Sequence, residues 1–212
     1  MCPASSDQVH PVGTGLVASL ARPGGHVTGV SGIGAEIGGK CLEFLREIVP
    51  ALTHVAVLVH VTDPFARPFL EDIQAAAQPI GMRIHPVGVQ GEEEFDSAFT
   101  AMVHAGVEAV IIQLLLATPR AAALAVQHRL PAIATSETFA ASGGLMTYGS
   151  TSAWRAQSVV TYVDKILKGA KPADLPVQRP MTFDLVINLK TAQALGLTIP
   201  PSLLFQADKV IR

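Results

Sequence analysis

Between residues 54 and 149, short apolar runs alternate with helix-patterned stretches, and few folds accept that pattern. His54-Val-Ala-Val-Leu-Val-His60 is apolar and β-branched, as a strand buried on both faces must be. Asp63-Pro64 opens a helical stretch to Ala77, with Pro64 near the first turn and Gly81 beyond the end. Residues 83–89 alternate as a second strand. Glu92, Glu93 and Glu94 put negative charge at the start of the next helix, where its dipole favours it. Phe95, Ala98, Phe99 and Met102 follow at helical spacing. The pattern then predicts a third strand over 107–114, a helix over 119–128, a fourth strand over 130–134 and a short fifth over 145–148. Strands alternating with helices predict a parallel sheet with helices on both faces, a doubly wound α/β layer.

In such sheets ligands bind outside the carboxyl ends of the strands. Six residues at those ends are the candidates. Thr62 and Asp63 follow the first strand, Gln113 closes the third, Ser136 and Glu137 follow the fourth, and Tyr148 ends the fifth. Asp63 and Glu137 are carboxylates that suit acid–base work, an amine ligand or the capping of the next helix. Tyr148 suits stacking on a ligand or packing in the core.

The flanks read differently. Residues 15–21 predict a short helix, Arg22-Pro-Gly-Gly25 a turn and residues 27–30 a strand. After Ser150 comes a helix capped by Ser152, with an apolar stripe of Ala153, Ala156, Val160, Val163 and Leu167. Residues 171–180 hold three prolines and read as an extended connector. A last strand over 183–189, a short helix and the Ile199-Pro-Pro201 turn complete the chain. Two strands are too few for a layered domain of their own, so the flanks are expected to be part of a second lobe.

Composition excludes several classes. Apolar residues are 49% and charged residues 15% of the 212, the opposite of a disordered chain. Lys and Arg number 15 against 17 Asp and Glu, a near-zero balance that argues against a nucleic-acid partner, which would need a basic patch or stripe. No apolar run reaches the roughly 18 residues of a membrane span. Cys2 and Cys41 make neither a disulfide framework nor a zinc site. His54 and His60 lie about 20 Å apart along one strand, too far to share a metal. No cofactor is expected. Gly34-Ala-Glu-Ile-Gly-Gly39-Lys40 has the spacing of a phosphate loop, but Cys41 replaces the magnesium-holding hydroxyl and Glu36 puts a negative charge in the cradle. A glycine-rich hinge into a helix over 40–49 fits better.

Three stretches carry a resemblance. They are Pro11-Val-Gly-Thr-Gly-Leu-Val-Ala-Ser-Leu-Ala-Arg-Pro-Gly-Gly-His-Val-Thr-Gly29, Gly143-Gly-Leu-Met-Thr-Tyr-Gly149, and a tail from Tyr162-Val-Asp-Lys-Ile-Leu-Lys-Gly to Leu185-Val-Ile-Asn-Leu-Lys-Thr-Ala-Gln-Ala-Leu-Gly-Leu-Thr-Ile-Pro-Pro201. Together they resemble the ABC transporter substrate-binding proteins of tryptophan/tyrosine type. The resemblance implies a periplasmic-binding-protein-like (type I) α/β fold whose two lobes close on a ligand. One doubly wound parallel-sheet lobe, residues 31–150, is expected complete. Residues 1–30 are expected to be a remnant of the other, incomplete lobe, with 151–212 a crossover helix and a return to it. The chain is expected to start after the family's signal peptide and first βα units.

The function this implies is solute capture for an ABC importer, of an amino acid or aromatic acid, without covalent chemistry. His10 is expected to reach the ligand from the other lobe, opposite Thr62, Asp63, Gln113, Ser136, Glu137 and Tyr148. It stands where the family usually has Asp. The expected partners are a small-molecule solute, an ABC permease and, through exposed first-lobe surface, a second copy of the chain. The resemblance implies a periplasmic location. With no leader of basic and apolar regions as written, retention in the cytoplasm stays open. Two rivals stay open as well: a small α/β enzyme using Asp63 or Glu137 as acid–base, and a self-associating fragment that binds nothing.

Overall fold

The structure, a computed structural model, describes residue 12 and residues 15–31 and 36–212. It divides into two compact units, Met1–Ala35 with Ser150–Phe183, and Glu36–Gly149 with Asp184–Arg212.

The larger unit is built on a seven-stranded sheet. Its strands are β1 (His54–His60), β2 (Arg83–Val89), β3 (Ala109–Ile112), β4 (Ala132–Ala134), β5 (Met146–Gly149), β6 (Asp184–Asn188) and β7 (Lys209–Ile211), in the order β2-β1-β3-β4-β5-β6-β7. The first five are mutually parallel; β6 runs antiparallel to β5, and β7 parallel to β6. The order 2-1-3-4-5 is a doubly wound one whose reversal lies between β1 and β3. Val55 to Leu58 of β1 are wholly buried because helices cover both faces.

Over one face lie α3 (Phe95–His104) and α4 (Pro119–Gln127). Phe95, Ala98, Phe99 and Met102 of α3, at the expected helical spacing, join Ala56, Leu58, Val110 and Ile112 in one core. Thr118 caps α4 through its hydroxyl, which accepts from Ala121 N at 3.3 Å. On the other face are α1 (Glu36–Ile48) and α2 (Ala66–Ala77), the latter burying Phe69 and Ile73. Removing each of those two side chains from water stabilises by about 1.5–3 kcal/mol. After α2 and one 3-10 turn, Gly81 takes a left-handed φ of 66° and turns the chain into β2.

Gly38 and Gly39 lie inside α1, not in a hinge or a phosphate loop. A Cβ on Gly38 would sit 2.7 Å from Ile73 Cγ1, so this glycine lets α1 and α2 pack backbone-close. The Glu92–Glu94 stretch is a 3-10 turn, with α3 starting one residue later at Phe95.

The tail departs further from expectation. Asp184–Arg212 does not return to the smaller unit: β6 and β7 extend the large sheet, with α6 (Leu189–Leu195) and α7 (Pro201–Gln206) between them. Asn188 ties this tail in, donating to Ala140 O at 2.9 Å while its oxygen caps α6. The antiparallel β5–β6 pairing, with Met146 opposite Ile187, is a long-range choice that local periodicity does not encode.

The smaller unit contains α5 (Ser152–Leu167). The predicted helix over 15–21 is absent, and of the strand over 27–30 only a bridge forms, Val30 with Gln178. The proline-rich connector is pinned to residues 20–31: Val177 N donates to Leu20 O at 2.7 Å, Ser31 N to Gln178 O at 2.8 Å and Thr28 Oγ1 to Leu175 O at 2.6 Å. Tyr162 of α5 donates its hydroxyl to Pro176 O. The cap of α5 is Thr151, whose oxygen accepts from Trp154 N at 3.1 Å, rather than Ser152.

Candidate functional site

The carboxyl edge of the sheet gathers the exits of β1, β3 and β4, and the reversal between β1 and β3 is where a doubly wound sheet opens a crevice. A cluster of side-chain hydrogen bonds lies at that point. Gln113, only 2% exposed, follows β3 and reaches across to β1. Its Oε1 accepts from His60 N at 2.7 Å, and its Nε2 donates to Asp63 Oδ2 at 2.6 Å. The other Asp63 oxygen accepts from Phe65 N at 3.0 Å, an Asx-turn that leads into α2. Asp63 thus shapes the approach to α2 without being its terminal cap. Thr62 joins the group through His60, Oγ1 to Nδ1 at 3.1 Å.

Apolar side chains stand exposed on the same two exit loops. Val61 and Phe65 flank Thr62 and Asp63; Leu114 and Leu115 follow Gln113. A carboxylate fixed by its neighbours lies among them.

The β4 exit supplies Ser136 and Glu137. Ser136 Oγ lies 3.0 Å from Thr138 Oγ1. Glu137 acts on Asp184, the first residue of β6, at this same edge. Burial first, then the Asp208 and Glu137 charges, push the Asp184 carboxyl above its usual range. Tyr148 of β5 is half-buried and meets Phe44 of α1 edge to face, with centroids 5.1 Å apart. The structure therefore joins Asp63 to Gln113 directly and Thr62 to them through His60. Ser136, Glu137 and Tyr148 are on the next strands along. His10 lies outside the described residues.

Sequence reasoning missed His60 and Asp184 at this edge. The spacing of His54 and His60 rules out a shared metal and gives His60 no role at the sheet edge. Asp184 was hidden because its strand was expected elsewhere. Cys41, beside the glycines of α1, is fully buried, and burial pushes its thiol up to about 12. Among the described residues no group of three or more His, Cys, Asp or Glu is placed to hold a metal ion. None of the described helices is long and apolar enough to cross a membrane.

Residues 5–211 match the family model described as ABC transporter substrate binding protein. The chain belongs to that family. Its members are substrate-binding proteins rather than enzymes, typically work outside the cytoplasm, and take small-molecule solutes. The tyrosine-binding protein of Clostridioides difficile is 22% identical over 191 residues, 88% of this chain. The ABC domain from Streptococcus pneumonia in complex with L-Trp is 29% identical over 95% of the chain, with a TM-score of 0.86. A conserved domain protein from Vibrio cholerae is 25% identical over the same share, with a TM-score of 0.87. The α/β fold of the chain is that of type I periplasmic binding proteins. The chain spans 54% of the length of the clostridial relative and 69% of that of the pneumococcal one.

Proposed function

We propose that the carboxyl edge of the large sheet captures an aromatic amino acid for an ABC importer, with a membrane permease as the downstream partner. The observation that carries this reading is the meeting of a fixed carboxylate, Asp63, with exposed Val61, Phe65, Leu114 and Leu115 on the β1 and β3 exits. An aromatic amino acid offers a matching ammonium and apolar ring. Asp63 keeps lone pairs beyond its two accepted bonds and receives the ammonium, with Glu137 the second carboxylate on this edge. Thr62, Ser136 and Tyr148 are the remaining polar contacts. The clostridial relative's name and the pneumococcal neighbour's bound L-Trp support the ligand class. The acid–base rival is not favoured, because the members of the matched family are substrate-binding proteins rather than enzymes.

A thermal-shift series with L-tryptophan, L-tyrosine and D-glucose tests the proposal. At 100 times its Kd a ligand adds about 2.7 kcal/mol, roughly 5–10 °C for a chain of this size. The reading predicts such a shift with tryptophan or tyrosine and none with glucose. A shift with glucose alone, or with none of the three, contradicts it.

A further inference from the structure

We infer that Gln113 is a positioning residue: its buried amide locks the β1 exit loop into the shape that presents Asp63 at the ligand edge. The inference rests on the ligand-capture reading and gives Gln113 a different task from the exposed groups around it.

The argument starts from the ladder. Gln113 N still donates to Leu58 O at 3.0 Å, as β3 pairing requires. The chain then leaves the sheet, and Leu116 N closes a 3-10 turn onto Gln113 O at 3.0 Å. The next donor of β1 on this side, His60 N–H, is left without a backbone carbonyl. The Gln113 side-chain carbonyl takes its place at 2.7 Å. Without it a part-buried donor goes unpaired, which disfavours this shape of the loop.

The two partners also fix the orientation of the amide. A backbone N–H meets only the oxygen, and a carboxylate meets only the NH2 group. With Oε1 on His60 N, Nε2 is placed on Asp63 Oδ2. Asp63 Oδ1 then receives Phe65 N, and Ala66 N donates to Asp63 O at 2.9 Å. One amide therefore sets the loop from His60 to Phe65. Glutamine is the side chain that does this: asparagine is shorter, glutamate brings no donor, and leucine brings neither group.

The position of Gln113 supports the division of labour. It is 2% exposed, whereas Leu114 and Leu115 beside it are 41% and 59% exposed. The polar residue is turned inward and the apolar ones outward, the reverse of their solvation preferences.

The test uses the full chain, with Gln113→Leu and Gln113→Glu. Two quantities are read from pH 8 to pH 5: amide exchange at His60 and Phe65 in the free protein, and the affinity for L-tryptophan and L-tyrosine. At pH 8 both variants are expected to exchange these amides faster and to bind about tenfold or more weakly, since a hydrogen bond to a charged group is lost. In Gln113→Glu two carboxylates meet, and a proton taken up on acidification restores a donor between them. This variant is expected to regain protection and affinity as the pH falls; Gln113→Leu is not. The wild type, which carries the same His60, is the control for imidazole titration. Recovery within one protein also excludes misfolding as the cause. Wild-type affinity in both variants overturns the inference, as does lost protection without lost affinity. If the wild type itself binds neither amino acid, the ligand reading falls, and unchanged exchange in both variants then removes the lock as well.

Discussion

Asp72 of α2 has an oxygen that is buried and without a hydrogen-bond partner. Burial, then the neighbouring Glu71 charge, raises its pKa. A raised carboxyl binds its proton more tightly in the folded state than in the unfolded one. Its cost is absent below the unfolded pKa, grows as pH rises through the window between the two values, and is complete above the folded pKa. Asp72→Asn is therefore expected to raise the Tm by about 1–3 °C at pH 7, with the gain shrinking near pH 4; calorimetry at the two pH values checks this. Gly149 is a second sensitive residue. A Cβ there would stand 2.6 Å from Thr135 O, at the close approach of β5 to the β4 exit. Gly149→Ala is expected to cost about 1–3 kcal/mol in denaturant titration, as overpacking does. At this scale Asp63, Ser136 and Glu137 were legible as strand-end residues because chain order and turn chemistry place them. The Gln113 lock was not, because a hydrogen bond across 50 residues leaves no local pattern.

The helices show where periodicity suffices and where it misleads. The α3 spacing of Phe95, Ala98, Phe99 and Met102 marks a buried face, and that face is buried. The α5 stripe of Ala153, Ala156, Val160, Val163 and Leu167 has the same rhythm, yet all five are exposed. Its buried side is Ser158 and Tyr162. A stripe reports a capacity for burial, and burial needs a second layer. Among the described residues the smaller unit has a bridge but no strand to provide one. The two stripes should respond differently to substitution. Val160→Lys is expected to change stability by no more than about 0.5 kcal/mol, as exposed positions do. Phe99→Ala is expected to cost about 3–5 kcal/mol through the cavity it leaves. Parallel urea titrations compare them.

At the scale of the molecule, the parallel pairing of β1 to β5 and the doubly wound layer they form follow from alternation and the rule of right-handed crossovers. The last two strands do not. The sequence locates β6 closely but says nothing of its neighbour, and β7 is a three-residue strand with no hydrophobic alternation to reveal it. Placing β6 beside β5 brings Asp184 to the edge that holds Glu137, so an error in topology became an omission in the site. The central claim is that solute is taken at this carboxyl edge. Amide chemical-shift mapping by NMR, with L-tryptophan and L-tyrosine titrated into the 212-residue chain, tests it most directly. The account predicts saturable shifts at Thr62, Asp63, Phe65, Leu114, Ser136 and Glu137. Shifts confined to the opposite edge, at Thr53, Met82 and Glu108, or no saturable shift at all, would contradict it.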